Sequence, residues 1–216
     1  MSSAEGLHKH AFWLYGVIIG LAIKAALEIV VKHLISPPVG LPRDASTEAA
    51  RLIVFLVLII QFYLGSVVFY DKVYENPEDP EKFKGANYAV DFLFGLIHFL
   101  FFFGWSLTID THSGHLRLFP LGLAFILLYD FIWLIASLNY PTRNNIARWT
   151  FVNFGTVVLA IAIYYITLSV YNNDDRTAER IAYIPVILVS IVDIVGMITN
   201  REIIADLFRK LFSHQA

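Results

Sequence analysis

There is no cysteine in the 216 residues, which excludes disulfides, thiolate metal sites and cysteine nucleophiles. Charge is also scarce: Asp, Glu, Lys and Arg make up 16% of the chain, against about 25% in soluble domains. The formal net charge of −2 is too small to point to nucleic acid or to an anionic lipid surface. No glycine-rich phosphate loop, nucleophile elbow or His-Glu-x-x-His signature occurs, so an enzymatic reading has little support. A lipid-modifying enzyme built on intramembrane acids would need a polar groove open to the leaflet. Membrane haem needs histidines facing each other across two helices, and His98 is the one mid-span histidine. No cofactor is expected.

What is abundant is apolar bulk. Hydrophobic residues make up 57% of the chain and aromatics 15%, including 18 Phe and 11 Tyr. A membrane span needs about 20 mostly apolar residues. The runs 52–70, 92–109 and 149–171 meet this with no Asp, Glu, Lys or Arg, whereas 12–35, 118–140 and 181–199 each carry charge inside. Turn chemistry separates them: Ser36-Pro37-Pro38, Asn76-Pro77, Asp79-Pro80, Ser113-Gly114, Tyr140-Pro141 and Asn172-Asn173-Asp174-Asp175. The expectation is an all-α polytopic membrane protein. A single transmembrane domain over 1–200 has spans near 12–35, 52–70, 88–109, 118–140, 147–171 and 181–199. The stretch after Met1–His10 lacks a small-residue cleavage site and reads as a retained first helix.

Residues 201–216 place Ile203, Ile204, Leu207, Phe208, Leu211 and Phe212 on one helical face, as expected of an amphipathic helix on a leaflet. Six spans put both termini on one side. The basic residues of that side, among them Lys72, Lys82, Lys84, Arg143, Arg148 and Arg201, outnumber those of the other, so cytoplasmic termini in a plasma or inner membrane are expected.

Polar and small residues spaced three and four apart form one stripe per span. The stripes are Gly16, Gly20, Lys24, Glu28 and Lys32; Gln61 and Gly65; Asp91, Gly95, His98 and Trp105; Asp130, Trp133 and Ser137; Asn153, Thr156, Ala160, Tyr164, Thr167 and Tyr171; and Ser190, Asp193, Gly196 and Asn200. Because polar groups in lipid need partners, every stripe is expected to face inward. Packing glue is the plainer explanation for Gly16 with Gly20, Gln61, Ser137 and the fifth stripe. The charged members are harder to dismiss, since each charge at the bilayer centre costs about 2.5–3.5 kcal/mol. Lys24 and Glu28 can pair within one helix, leaving Asp91, Asp130 and Asp193 with His98 as the internal candidate cation.

The site expected from this pattern is an ion or proton pathway. Asp91, His98, Asp130, Asn153 and Asp193 form its inner acidic part, and Lys24 with Glu28 forms an outer ionic plug. The function expected is a small ion channel or cation/proton-coupled transporter, with lipid, a small cation or proton and a second copy of the chain as partners. The alternative is a non-transporting anchor, sensor or effector that acts through oligomerisation. Asp110, His112 and His115 with His33 could supply metal ligands, but a solvated loop is the expected reading and no metal is expected.

Overall fold

A computed structural model of the chain describes residues 3–35, 45–75, 88–111, 118–136, 143–171 and 174–199. These form six helices: α1 (Ser3–Ile35), α2 (Ala45–Tyr70), α3 (Tyr88–Ser106), α4 (Leu118–Ala136), α5 (Arg143–Val170) and α6 (Asp175–Thr199). A π-helical turn, Asp71–Glu75, extends α2. The amphipathic helix expected over 201–216 lies outside the described residues.

Among the described residues, five helical segments are long and apolar enough to cross a membrane: Trp13–Ile35, Ala45–Tyr70, Tyr88–Ser106, Thr150–Val170 and Asp175–Ile198. Their outer surfaces agree with that reading. Leu93, Leu100, Leu121, Phe125, Leu128, Phe151, Ile166 and Val192 are exposed on different helices, a distribution a water-soluble protein avoids. The second and sixth helices start earlier than expected, at Ala45 rather than residue 52 and at Asp175 rather than residue 181. Charge ends a hydrophobic run but not a helix whose charged first turns find partners. Asp174 supplies the start of α6: its carboxylate accepts hydrogen bonds from the Arg176 amide at 3.2 Å and from the Thr177 hydroxyl at 2.5 Å, satisfying donors that a helix N-terminus leaves open.

The helices pack in the order α1–α2–α6–α5–α4–α3, and α3 returns to α1. All three helix N-termini of α2, α4 and α6 gather at one end with the C-termini of α1 and α3, as Arg51 contacts Glu179, Phe119 and the Thr108 carbonyl there. Aromatic side chains fill the middle. Phe55, Phe62, Phe99, Phe102, Trp105 and Phe119 belong to one buried cluster, with ring centroids of Phe62–Phe102 at 5.4 Å and Trp105–Phe119 at 4.5 Å. Inside lipid, burial from water does not drive helices together, so such interlocking contacts and interhelical hydrogen bonds must hold the bundle. Close approach is built in where α3 meets α1: a Cβ on Gly95 would stand 2.5 Å from the Tyr15 hydroxyl oxygen.

Candidate functional site

Buried polar groups fall into three levels along the bundle. At the end where α3 begins, Tyr15 donates to the Phe92 carbonyl at 2.9 Å and lies 3.1 Å from the Tyr70 hydroxyl. Asp91, buried on α3, accepts a short hydrogen bond from Tyr74 of the π-turn. Tyr88 packs edge-on against Tyr70 and Tyr74. Asp91 therefore sits beside a cluster of tyrosines, where the Tyr74 hydroxyl takes the place of a water that a carboxylate would otherwise need.

Midway along, Gln61 of α2 donates to Asp193 of α6 at 2.7 Å. Its neighbour Phe62 meets the His98 ring of α3, centroids 4.5 Å apart, so Gln61, Asp193 and His98 share one depth. His98 is boxed by Phe62, Phe102 and Tyr129. Two buried atoms here, His98 Nε2 and Gln61 Oε1, have no hydrogen-bond partner among the described residues. Buried polar atoms left open in this way are uncommon and costly, about 1–3 kcal/mol each.

The third level lies at the opposite end. Arg51, fully buried, grips Glu179 with two parallel bonds, Nε to Oε1 at 2.6 Å and Nη2 to Oε2 at 2.9 Å. Its Nη1 donates to the carbonyl oxygens of Thr108 and Ile109 at 3.2 and 3.5 Å. Tyr183 donates to Glu179 at 2.5 Å. The guanidinium also lies over the Phe119 ring, 5.3 Å from its centre. One planar cation thus ties α2, α4, α6 and the segment after α3 together. Next to it, Glu48 accepts from the Thr111 hydroxyl at 2.9 Å and faces His33 Nδ1 at 2.9 Å. His33 Nε2 lies 3.9 Å from Asp110.

From Gln61 to Arg51 is ten residues of helix, about 15 Å, and the core there is Val54, Phe55, Leu58 and Ile59 with Phe102 and Trp105. Among the described residues, packed hydrocarbon thus separates the mid-bundle level from the Arg51 level.

The inward facing expected of the stripes on α3, α5 and α6 holds in part, with Tyr171 and Gly196 exposed. Asp91, Gly95, His98 and Trp105 are all buried along one face of α3, and Asn153, Ala160 and Thr167 are buried on α5. Asp193 is half-buried, with Ser190 buried one turn before it. Asp130 belongs to α4.

The first stripe is a correction. Gly16, Gly20, Lys24, Glu28 and Lys32 all lie exposed on the outer face of α1. Lys24 and Glu28 do pair, at 3.5 Å, but their side chains are 69% and 67% exposed, so within one chain they form no plug inside the bundle. The physical reason is the opposite face, where Tyr15, Ile18, Ala22 and Ala26 are buried. Two alanines let α1 approach closely, and Tyr15 reaches across to α2 and α3.

The solvated-loop reading also needs correction at His33 and Asp110, which converge with Glu48; His112 and His115 lie outside the described residues. Sequence reasoning missed Glu48, Arg51 and Glu179 as a site because each falls just before an apolar run and reads as its edge. The available signal was their placement at one depth: an arginine and a glutamate at the starts of two helices that enter from the same side.

Comparison with protein-family models, with curated proteins and with solved structures finds no match to this chain.

Proposed function

We propose that the chain carries protons or small cations across a membrane, as a channel or a cation/proton-coupled transporter, and that Asp193, His98 and Asp91 are its charge-handling groups. The observation that carries this reading is the mid-bundle level. A hydrogen-bonded carboxylate and amide, Asp193 and Gln61, lie there at the depth of the His98 imidazole, with His98 Nε2 and Gln61 Oε1 buried and open. A bundle that needed only stability would fill these positions with hydrocarbon, because ionisable groups in a membrane are expensive to keep.

The packed interior favours the proton over larger cations. A hydrated ion needs a continuous wet path, whereas a proton passes between titratable side chains that rotate or recruit single waters. Asp130 on α4 and the buried Asn153 on α5 extend the same set. In this reading α4 is the sixth span, both termini are cytoplasmic in a plasma or inner membrane, and residues 201–216 lie on the inner leaflet. The test is proton uptake into sealed liposomes driven by a potassium diffusion potential. Asp193→Asn should cut the rate about tenfold or more; an unchanged rate in folded protein removes Asp193 from the pathway.

A second reading, assembly, is favoured by the outer face of α1. An open groove of about 720 Å³ runs there past Gly20, Lys24, Glu28 and Lys32, and a Cβ on Gly16 or Gly20 would meet nothing within 4 Å. Facing lipid, Lys24 and Glu28 are costly even as a pair. Two parallel copies of α1 related by a two-fold axis place Lys24 against Glu28 of the other copy, reciprocally, and the glycines permit close approach. Such a dimer serves an anchor or effector as well as a transporter.

A further inference from the structure

The end of the bundle opposite the tyrosine cluster holds a second chemistry, separate from the mid-bundle acids. His33 ends α1, Glu48 opens α2 and Asp110 follows α3, and one ligand atom from each lies within 4.8 Å of the other two. His33 and Glu48 are buried and Asp110 is partly so. Ligand atoms of a tetrahedral zinc site stand about 3.3 Å apart when metal bonds are 2.0–2.1 Å, so the His33–Glu48 pair at 2.9 Å would open slightly and the wider separations would close by up to about 1.5 Å.

Three features distinguish this cluster from a chance meeting of polar side chains. The donors come from three separate elements, so the fold, rather than one helix, brings them together. The carboxylate–imidazole contact of 2.9 Å already holds His33 beside Glu48, a hydrogen bond that a shared metal ion would replace. The donor chemistry is also that of a metal site: one imidazole and two carboxylates make up the cluster.

We propose that His33, Glu48 and Asp110 form a binding site for a divalent first-row metal of zinc type, with Thr111 holding Glu48 in place from outside the coordination sphere. One imidazole and two carboxylates suit zinc better than calcium, which takes six to eight oxygen ligands. Three protein ligands leave a fourth position for water or another donor. Binding ties the ends of α1, α2 and α3 together, so the metal stabilises the folded bundle.

The test uses the full-length protein in detergent, stripped with chelator and titrated with zinc alone. Calorimetry should show saturable binding at one zinc per chain, with a raised thermal midpoint, and cobalt should produce the visible absorption bands of a low-symmetry site. Asp110→Asn sits at the partly exposed edge and should fold normally while weakening zinc by about tenfold or more; His33→Gln should abolish the cobalt bands. Zinc binding unchanged in both variants, no saturable binding to wild type, or preference for calcium over zinc would each overturn the proposal.

Discussion

At the scale of single residues, the Arg51–Glu179 pair has the largest foreseeable effect on stability. Both groups are removed from water, and Arg51 stays charged whatever its partner does. The attraction offsets two desolvation costs, so losing one partner leaves the other charge buried and uncompensated, a loss of about 3–5 kcal/mol. Arg51→Met should therefore lower the thermal midpoint sharply in detergent, read by circular dichroism. The double variant Arg51→Met with Glu179→Leu should recover much of that loss, because no charge remains stranded. A double variant no more stable than the single one would show that the pair itself holds the four segments together. None of this was legible in hydropathy, which records Glu48, Arg51 and Glu179 as the edges of spans and is blind to pairing across helices.

At the scale of helices, periodicity located the apolar runs well and their facing unevenly. The α3 stripe of Asp91, Gly95, His98 and Trp105 is buried as its spacing implied, because one face gathers the acid, the histidine and Gly95. On α1 two faces compete. One holds glycines with Lys24 and Glu28, the other Ala22, Ala26 and Tyr15, and only the tertiary contact of Tyr15 with α2 and α3 decides between them. The exposed face leads to a measurable expectation: replacing Gly16 and Gly20 with leucine should dissociate a dimer seen by light scattering in detergent. A dimer that survives would exclude this face as the interface.

The start of α6 carries a pH dependence. Asp174 is held below the ordinary aspartate range, chiefly by the Thr177 hydroxyl, with the Thr177 and Arg176 amides and the Arg180 charge assisting. A depressed carboxyl stabilises the fold above the unfolded-state range and loses that contribution as pH falls through the folded value. Asp174→Ala should be less stable than wild type near neutral pH, and the gap should vanish in acid. A gap that persists in acid would mean that the aspartate acts there without its charge.

At the scale of the whole molecule, the helices pack in the order α1–α2–α6–α5–α4–α3 around an aromatic interior, with polar levels at the two ends and at mid-depth. Composition alone made the membrane class and the helical fold legible, since a chain this apolar and charge-poor has few other solutions. The acids at Asp91 and Asp193 were legible as exceptions within apolar runs. Their hydrogen-bond donors, Tyr74 and Gln61, were not, because they come from other parts of the chain and carry no charge to mark them.

The proposed function has a proton, rather than a hydrated ion, crossing this interior. Purified protein in sealed liposomes, exposed in turn to proton, potassium and sodium gradients, tests it most directly. Proton movement with potassium and sodium held back is the expected result. Silence in folded protein, or free passage of potassium or sodium, would contradict it.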